Sequence, residues 1–116
     1  METIEFPDFQ KIELKVGTIQ SAERVEGSEK LLKLSVILDE KNEVGEIKTR
    51  QILAGIGKQY EPEVLVGKQI IVVANLKPRM MMGLESQGML LAAHDTEEGA
   101  ILLTPDKEAP SGSRIS

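Results

Sequence analysis

From Ile12 the chain alternates, with Ile12, Leu14 and Val16 on one side and Glu13 and Lys15 on the other, the period-two pattern of a half-buried strand. Gly17 interrupts it and Thr18 to Val25 continues extended, which predicts one long strand bent at a glycine, as a corner of a small closed barrel requires. After a turn at Glu26-Gly27-Ser28-Glu29, Leu32, Leu34, Val36 and Leu38 oppose Lys33 and Ser35, the clearest strand of the chain. Asp39 to Glu46 is a polar connection, and Glu46 to Ile56 returns as a third strand ended by Gly55-Ile56-Gly57. Lys58 to Val66 loses the alternation and carries Glu61-Pro62-Glu63. Proline suits a first helical turn, so one or two short turns are expected there, closed at Gly67. Gln69 to Asn75 predicts a buried fourth strand. Pro78 and Gly83 mark a loop, Gly88 to His94 a fifth strand, and Ala100 to Leu103 a short extra one after a turn at Glu98-Gly99. At the other end, Phe6 to Lys11 predicts a helical turn capped by Asp8, with Phe6 and Phe9 plugging one end of the barrel. The tail, Thr104 to Ser116, is rich in Pro, Gly and Ser but ends on Ile115, which is expected to pack against the body.

Three strands in a meander, a short helical connector and two further strands are the order of an OB-fold, a five-stranded all-β Greek-key barrel. Its length of 116 residues suits one domain. We expect a core over about residues 10–95 and an extension over 96–116. No repeat, low-complexity segment or linker divides the chain. Such barrels bind oligonucleotides or oligosaccharides across the second and third strands and adjoining loops, although fold alone does not give function.

Composition changes this picture in three ways. Aromatic residues are 3% of the chain, namely Phe6, Phe9 and Tyr60, so the core must be aliphatic and a platform of rings for stacking bases is missing. No cysteine is present, which removes disulfides, thiolate metal sites and a cysteine nucleophile and fits a reducing cytoplasm. No basic segment followed by an apolar run opens the chain, and runs such as Ile70 to Ala74 are strand-length, too short to span a membrane. A cytoplasmic protein is therefore expected. Met1 suits the start of a complete small polypeptide and equally the start of an excised piece.

Charge is the awkward feature. Lys and Arg total 14 against 19 Asp and Glu, a net −5, whereas a phosphate-binding domain is expected to be basic. If the chain binds RNA, its cations must gather on one surface. The order of charges permits this: Asp39, Glu40, Glu43 and Glu46 form one acidic zone and Glu97, Glu98, Asp106 and Glu108 another, while between Gln69 and Met82 the only charges are Lys77 and Arg79.

Enzyme chemistry finds little to use. His94 is the single histidine, so neither a histidine-paired metal site nor a second Ser-His-Asp candidate exists. Gly55 and Gly57 lack the third glycine and β-α-β setting of a dinucleotide fingerprint. The acids from Asp39 to Glu46 lack calcium-loop spacing. No cofactor and no metal are expected. The run Asn75-Leu-Lys-Pro-Arg-Met-Met-Met-Gly-Leu-Glu-Ser-Gln-Gly-Met89 differs, because Asn75, Lys77, Arg79, Ser86 and Gln87 put phosphate charge and hydrogen-bonding groups into one connection. Lys30 and Lys33, in the outward register of the second strand, add to them. Residue chemistry alone divides evenly between this reading and an ordinary loop with two surface cations.

Several segments stand in register with a known family: Asp8-Phe9-Gln10-Lys11, Glu13-Leu14-Lys15-Val16-Gly17, Lys30-Leu31, Arg50-Gln51-Ile52, Ala54-Gly55-Ile56, Tyr60-Glu61-Pro62-Glu63, Asn75-Leu76-Lys77-Pro78 and Ser86-Gln87-Gly88-Met89. Over nearly its whole length the chain resembles the tRNA-binding domain appended to methionyl-tRNA synthetases and found alone in small dimeric tRNA-binding proteins. Related domains occur in the endothelial monocyte-activating polypeptide and in the N-terminal part of bacterial phenylalanyl-tRNA synthetase β-subunits. The resemblance implies an OB core that recognises the outer corner of tRNA by shape, which suits phosphate and ribose contacts without stacking aromatics. It implies a noncatalytic module serving a methionyl-tRNA synthetase catalytic chain, in cis or in trans. By position, Lys30 and Lys33 match basic second-strand residues, and Lys77 and Arg79 are expected on phosphates. Asn75 and Ser86 are expected on backbone or ribose oxygens, with Gln87 beside them and Met89 as an apolar contact whose bland alternative is core packing. Ala100 to Ser116 matches the segment through which such relatives dimerise, so a homodimer is expected, its paired sites raising avidity where geometry permits.

One departure stands out. Where relatives often carry further cations after Pro-Arg, this chain has Met80-Met81-Met82. Each lost phosphate contact removes roughly one unit of salt slope. The methionines are either a flexible apolar contact with a partner or base, or in part a buried loop core. A protein-interaction module and an export-chaperone-like dimer of the same fold are the competing function classes.

Overall fold

Leu32, Leu34, Val36 and Leu38 are each at most 1% exposed, and the strand that carries them is the spine of the molecule. In the computed structural model, which describes residues 1–116, the elements are α1 (Phe6–Gln10), β1 (Leu14–Arg24), β2 (Leu32–Lys41), β3 (Ile47–Ala54), α2 (Pro62–Leu65), β4 (Gln69–Val73), β5 (Arg79–Met81), β6 (Leu84–Ser86), β7 (Met89–Leu90), β8 (Ala92–Asp95), β9 (Gly99–Leu102) and β10 (Arg114–Ile115). The main sheet runs β3-β2-β1-β4-β7, all antiparallel. Ile19, Ile52, Ala54, Ile56, Leu65, Ile70, Val72, Ala74 and Leu90 join the β2 leucines inside it. Each Val, Leu or Ile side chain among them taken fully from water contributes ~1.5–3 kcal/mol. The all-β OB-type barrel read from the strand order is the fold observed.

β1 bends where the sequence places Gly17. Its first half pairs with β4 and its second with β2, and the register slips by a bulge between Ile19 and Ser21. A Cβ on Gly17 would stand 2.6 Å from Val36 Cγ1 and 2.9 Å from Leu38 Cδ2, so the glycine itself faces the interior. Leu14 and Val16 therefore point to the opposite side, and Ile12 is exposed before the strand begins. The alternation marks the strand correctly but not its inward face. The tail returns along this half of β1, with Gly112 N–H donating to the Val16 carbonyl and Leu14 opposite Ile115. Ile115 thus finds its partner on the sheet.

Five further expectations are corrected. Phe6 is 67% exposed, and it packs on Phe9 at 6.2 Å between ring centres outside the barrel. The aliphatic interior leaves no place for either ring. Glu5, not Asp8, occupies the cap position of α1, and Asp8 instead pairs with Lys11. β4 is not wholly buried, because Ile71 and Val73 alternate outward. The fifth strand divides: β7 stays on β4, whereas β8 leaves to form a hairpin with β9. The expected loop after Pro78 is an ordered hairpin of β5 and β6, turned at Met82 and Gly83 with φ of 49° and 79°. Two left-handed residues in succession make the tight hairpin turn that usually takes Asn-Gly.

Candidate nucleic-acid interface

The register of β1, β2 and β3 sets one outward face in rows. Ser21, Ser35 and Gln51 lie abreast, and Glu23, Lys33 and Leu53 form the next row. With Thr49, Glu85 and Gln87, the polar residues of these rows line a groove of about 470 Å³ between the sheet and the β5–β6 hairpin, while Leu53 is buried. It is not a basic groove. Lys33 is ion-paired to Glu23 across the strands, and Glu85 stands on the far wall. The cations gather instead at a second, neighbouring groove of about 280 Å³, lined by Lys48, Arg50, Ala74, Leu76, Pro78 and Gln87. Lys77 and Arg79 flank its Pro78, are exposed, and make no ion pair. Lys48, exposed on β3, is a cation that sequence reasoning missed. Its signal was its register opposite Glu40, visible only once β2 and β3 are aligned.

Several residues of the 75–89 run are engaged within the protein. The Asn75 amide is used at both ends: its Oδ1 accepts from Glu13 N–H at 2.8 Å and its Nδ2 donates to the Lys11 carbonyl at 2.6 Å. Ser86 is 2% exposed. Its hydroxyl accepts from Leu53 N–H at 3.0 Å and donates to the Gly88 carbonyl at 2.8 Å. Gln87 Oε1 accepts from Gln51 N–H at 2.9 Å, while Gln87 N–H donates to the Gln51 carbonyl at 2.7 Å. The side chains of Ser86 and Gln87 thus stand in for backbone partners along the free edge of β3 and close the barrel. Met89 is half-buried opposite Val73. Lys30 lies in the turn before β2, not on it, with its aliphatic stem against Gly55, where an added Cβ would meet Lys30 Cε at 2.7 Å. Of the expected contact residues, only Lys30, Lys77 and Arg79 are exposed with neither an ion pair nor an internal side-chain hydrogen bond.

Arg50 is the second residue that the sequence reading passed over. Its side chain holds Glu40 with Nε and Nη2, and its Nη1 donates to the carbonyls of Ala74 and Gln87. The hydrogen bond from Arg50, opposed by partial burial and reinforced by the charges of Arg50, Lys15 and Lys48, holds the Glu40 carboxyl below its ordinary range. The same hydrogen bond raises the Arg50 guanidinium above its own. Arg50 is therefore internally neutralised, and Lys48, Lys77 and Arg79 supply the available charge of this edge. At the opposite hairpin, the backbone N–H groups of Glu97 and Glu98 lower the exposed Asp95 carboxyl. His94 beside it is likewise exposed.

Residues 14–114 match the tRNA_bind family, described as "Putative tRNA binding domain". The chain belongs to this family of tRNA-binding domains. It is 55% identical, over its whole length, to part of a methionine–tRNA ligase of Caldanaerobacter subterraneus, and 49% identical over 97% of its length to part of the Helicobacter pylori ligase. It spans only 17% and 16% of those two ligases. Among solved structures, a MetRS-related protein from Pyrococcus horikoshii superposes with a TM-score of 0.87 at 37% identity, covering all of both chains. The chaperone CsaA of Bacillus anthracis superposes at 0.83 and 31% identity, over 99% of this chain and all of the other. No helix of the chain is long and apolar enough to cross a membrane.

Proposed function

We propose that the chain is a noncatalytic module that grips the outer corner of tRNA by shape, in cis or in trans for a methionyl-tRNA synthetase. The observation that carries this is the family match over residues 14–114 together with the unpaired Lys77 and Arg79 at the rim of the second groove. In this reading Lys77, Arg79 and Lys48 take phosphates, and Lys30 and Lys33 extend the track along the sheet face once Lys33 exchanges Glu23 for a phosphate. Asn75, Ser86 and Gln87 act through the shape they hold. Phosphate binding by a chain of net charge −5 is local and modest, so pairing of two copies through the 96–116 extension and the exposed Ile101 and Leu103 of and beside β9 would raise avidity. A tRNA titration at two salt concentrations, with solution mass measured alongside, tests both parts. The expected result is a dimer whose tRNA affinity falls steeply with salt, and Lys77→Ala or Arg79→Ala each lowers the slope by roughly one unit. Binding to tRNA no tighter than to duplex DNA of equal charge would refute the reading.

The likeness to CsaA favours a second reading, a dimer that shields unfolded polypeptide. Suppression of aggregation of a denatured client by the chain, unaffected by excess tRNA, would support it.

A further inference from the structure

Met80 and Met82 are 62% and 58% exposed on the β5–β6 hairpin, and Leu76 at its foot is also exposed. None of the three serves the core. Met82 occupies a turn position with φ of 49°, where a side chain is strained and glycine or asparagine is the usual occupant. The fold gains no interior contact from placing a long side chain there. Its methyl group instead reaches out to the β1–β2 turn, and an added Cβ on Gly27 would lie 3.6 Å from Met82 Cε. An apolar tip held at a conformational cost, beside unpaired cations, is an unexplained feature of this surface.

We propose that Met80 and Met82 form an apolar clasp for an unstacked nucleobase of the tRNA whose phosphates Lys77 and Arg79 hold. The proposal rests on the tRNA-binding reading above. Charge selects the occupant: the hairpin rises from a foot bearing Lys77 and Arg79, so its ligand carries negative charge and apolar faces together, as a nucleotide does. Composition supplies the reason for methionine. Phe6 and Phe9 lie on α1, and the Tyr60 hydroxyl accepts from Leu102 N–H at 3.1 Å. No aromatic ring therefore lines either groove. A polarizable thioether makes favourable contacts with aromatic systems and adapts its three torsions to whichever base is offered. That suits recognition by shape without a sequence code.

The test separates the clasp from the cations and from folding. In the full chain, Met82→Gly relieves the left-handed strain, so the hairpin should remain folded and the unfolding midpoint should hold or rise. Met80→Gln keeps the length and removes the apolar contact. Each is expected to weaken tRNA binding about two- to tenfold at every salt concentration with an unaltered salt slope, the opposite signature to Lys77→Ala. Bound tRNA should also slow peroxide oxidation of Met80 and Met82 relative to Met1 in the unaltered chain, read by peptide mass. Unchanged affinity in both variants, or no protection from oxidation in saturated complex, overturns the clasp while leaving the tRNA reading intact. Failure of the unaltered chain to bind tRNA overturns both. Loss of client protection without loss of tRNA affinity assigns the tip to polypeptide and overturns the proposal.

Discussion

The guanidinium of Arg50 takes both carboxylate oxygens of Glu40, Nε to Oε1 at 2.9 Å and Nη2 to Oε2 at 2.7 Å. Its remaining nitrogen bonds the carbonyls of Ala74 and Gln87, the residues on either side of the Asn75–Ser86 excursion. One side chain thus ties down both ends of the segment that carries Lys77, Arg79 and the methionine tip. Lysine offers a point charge without this fork. Arg50→Lys is therefore expected to lower stability by about 1.5–3 kcal/mol, the worth of charged hydrogen bonds lost, and to weaken tRNA binding although net charge is preserved. Urea denaturation and a tRNA titration check the two effects, and an unchanged affinity would separate the clamp from binding.

The same pair sets a pH dependence. Glu40 keeps its charge to lower pH folded than unfolded, because its folded value lies below the ordinary 4.5. Its contribution is complete above that ordinary value and is lost as pH falls through the folded one. Urea midpoints measured from pH 7 down to pH 3 should fall, and Glu40→Gln should start lower and fall less. Parallel curves for the two proteins would refute the assignment.

Ser86 offers a direct choice between contact and scaffold. Ser86→Ala leaves the Leu53 N–H without its partner in a buried setting, at a cost of about 1–3 kcal/mol. Below the unfolding transition, the folded variant should bind tRNA with the salt slope of the unaltered chain. A loss of affinity without loss of stability would restore Ser86 to the binding surface.

How much of this was legible in the sequence depends on the physical signal. The β2 alternation from Leu32 to Leu38 identified the spine because one face of that strand is wholly buried. The Leu14 and Val16 alternation marked a strand but pointed to the wrong face. A glycine facing the core contributes no apolar signal, and the returning tail supplies a second surface that local pattern cannot reveal. The exposure of Lys77 and Arg79 was readable because they are the only charges between Gln69 and Met82 and a charged side chain without a partner stays in water. The roles of Asn75, Ser86 and Gln87 were not. Their partners, Lys11, Glu13, Leu53 and Gln51, are distant in sequence, and a polar residue held by the backbone looks the same in one dimension as a polar residue held out to a ligand. Arg50 stands in one of the family-like segments, but its pairing with Glu40 requires the β2–β3 alignment.

Gly17→Ala probes the inward face of β1. Its methyl would meet Val36, Leu38 and Val72 at 2.6–3.1 Å, and overpacking of a filled core typically costs about 1–3 kcal/mol. A lowered urea midpoint with an unchanged m-value is expected. An unaffected midpoint would mean that the corner can open and that the glycine is not needed for close approach.

Most sheet edges are joined by main chain, and such a seam tolerates almost any residue. The junction of β3 with residues 86–87 is written partly in hydroxyl and amide side chains, so it can be broken by substitutions that leave every φ and ψ permissible. A barrel fastened in this way depends for its closure on the side chains of Ser86 and Gln87 as well as on main chain. A motif match at this position therefore testifies first to a closed barrel.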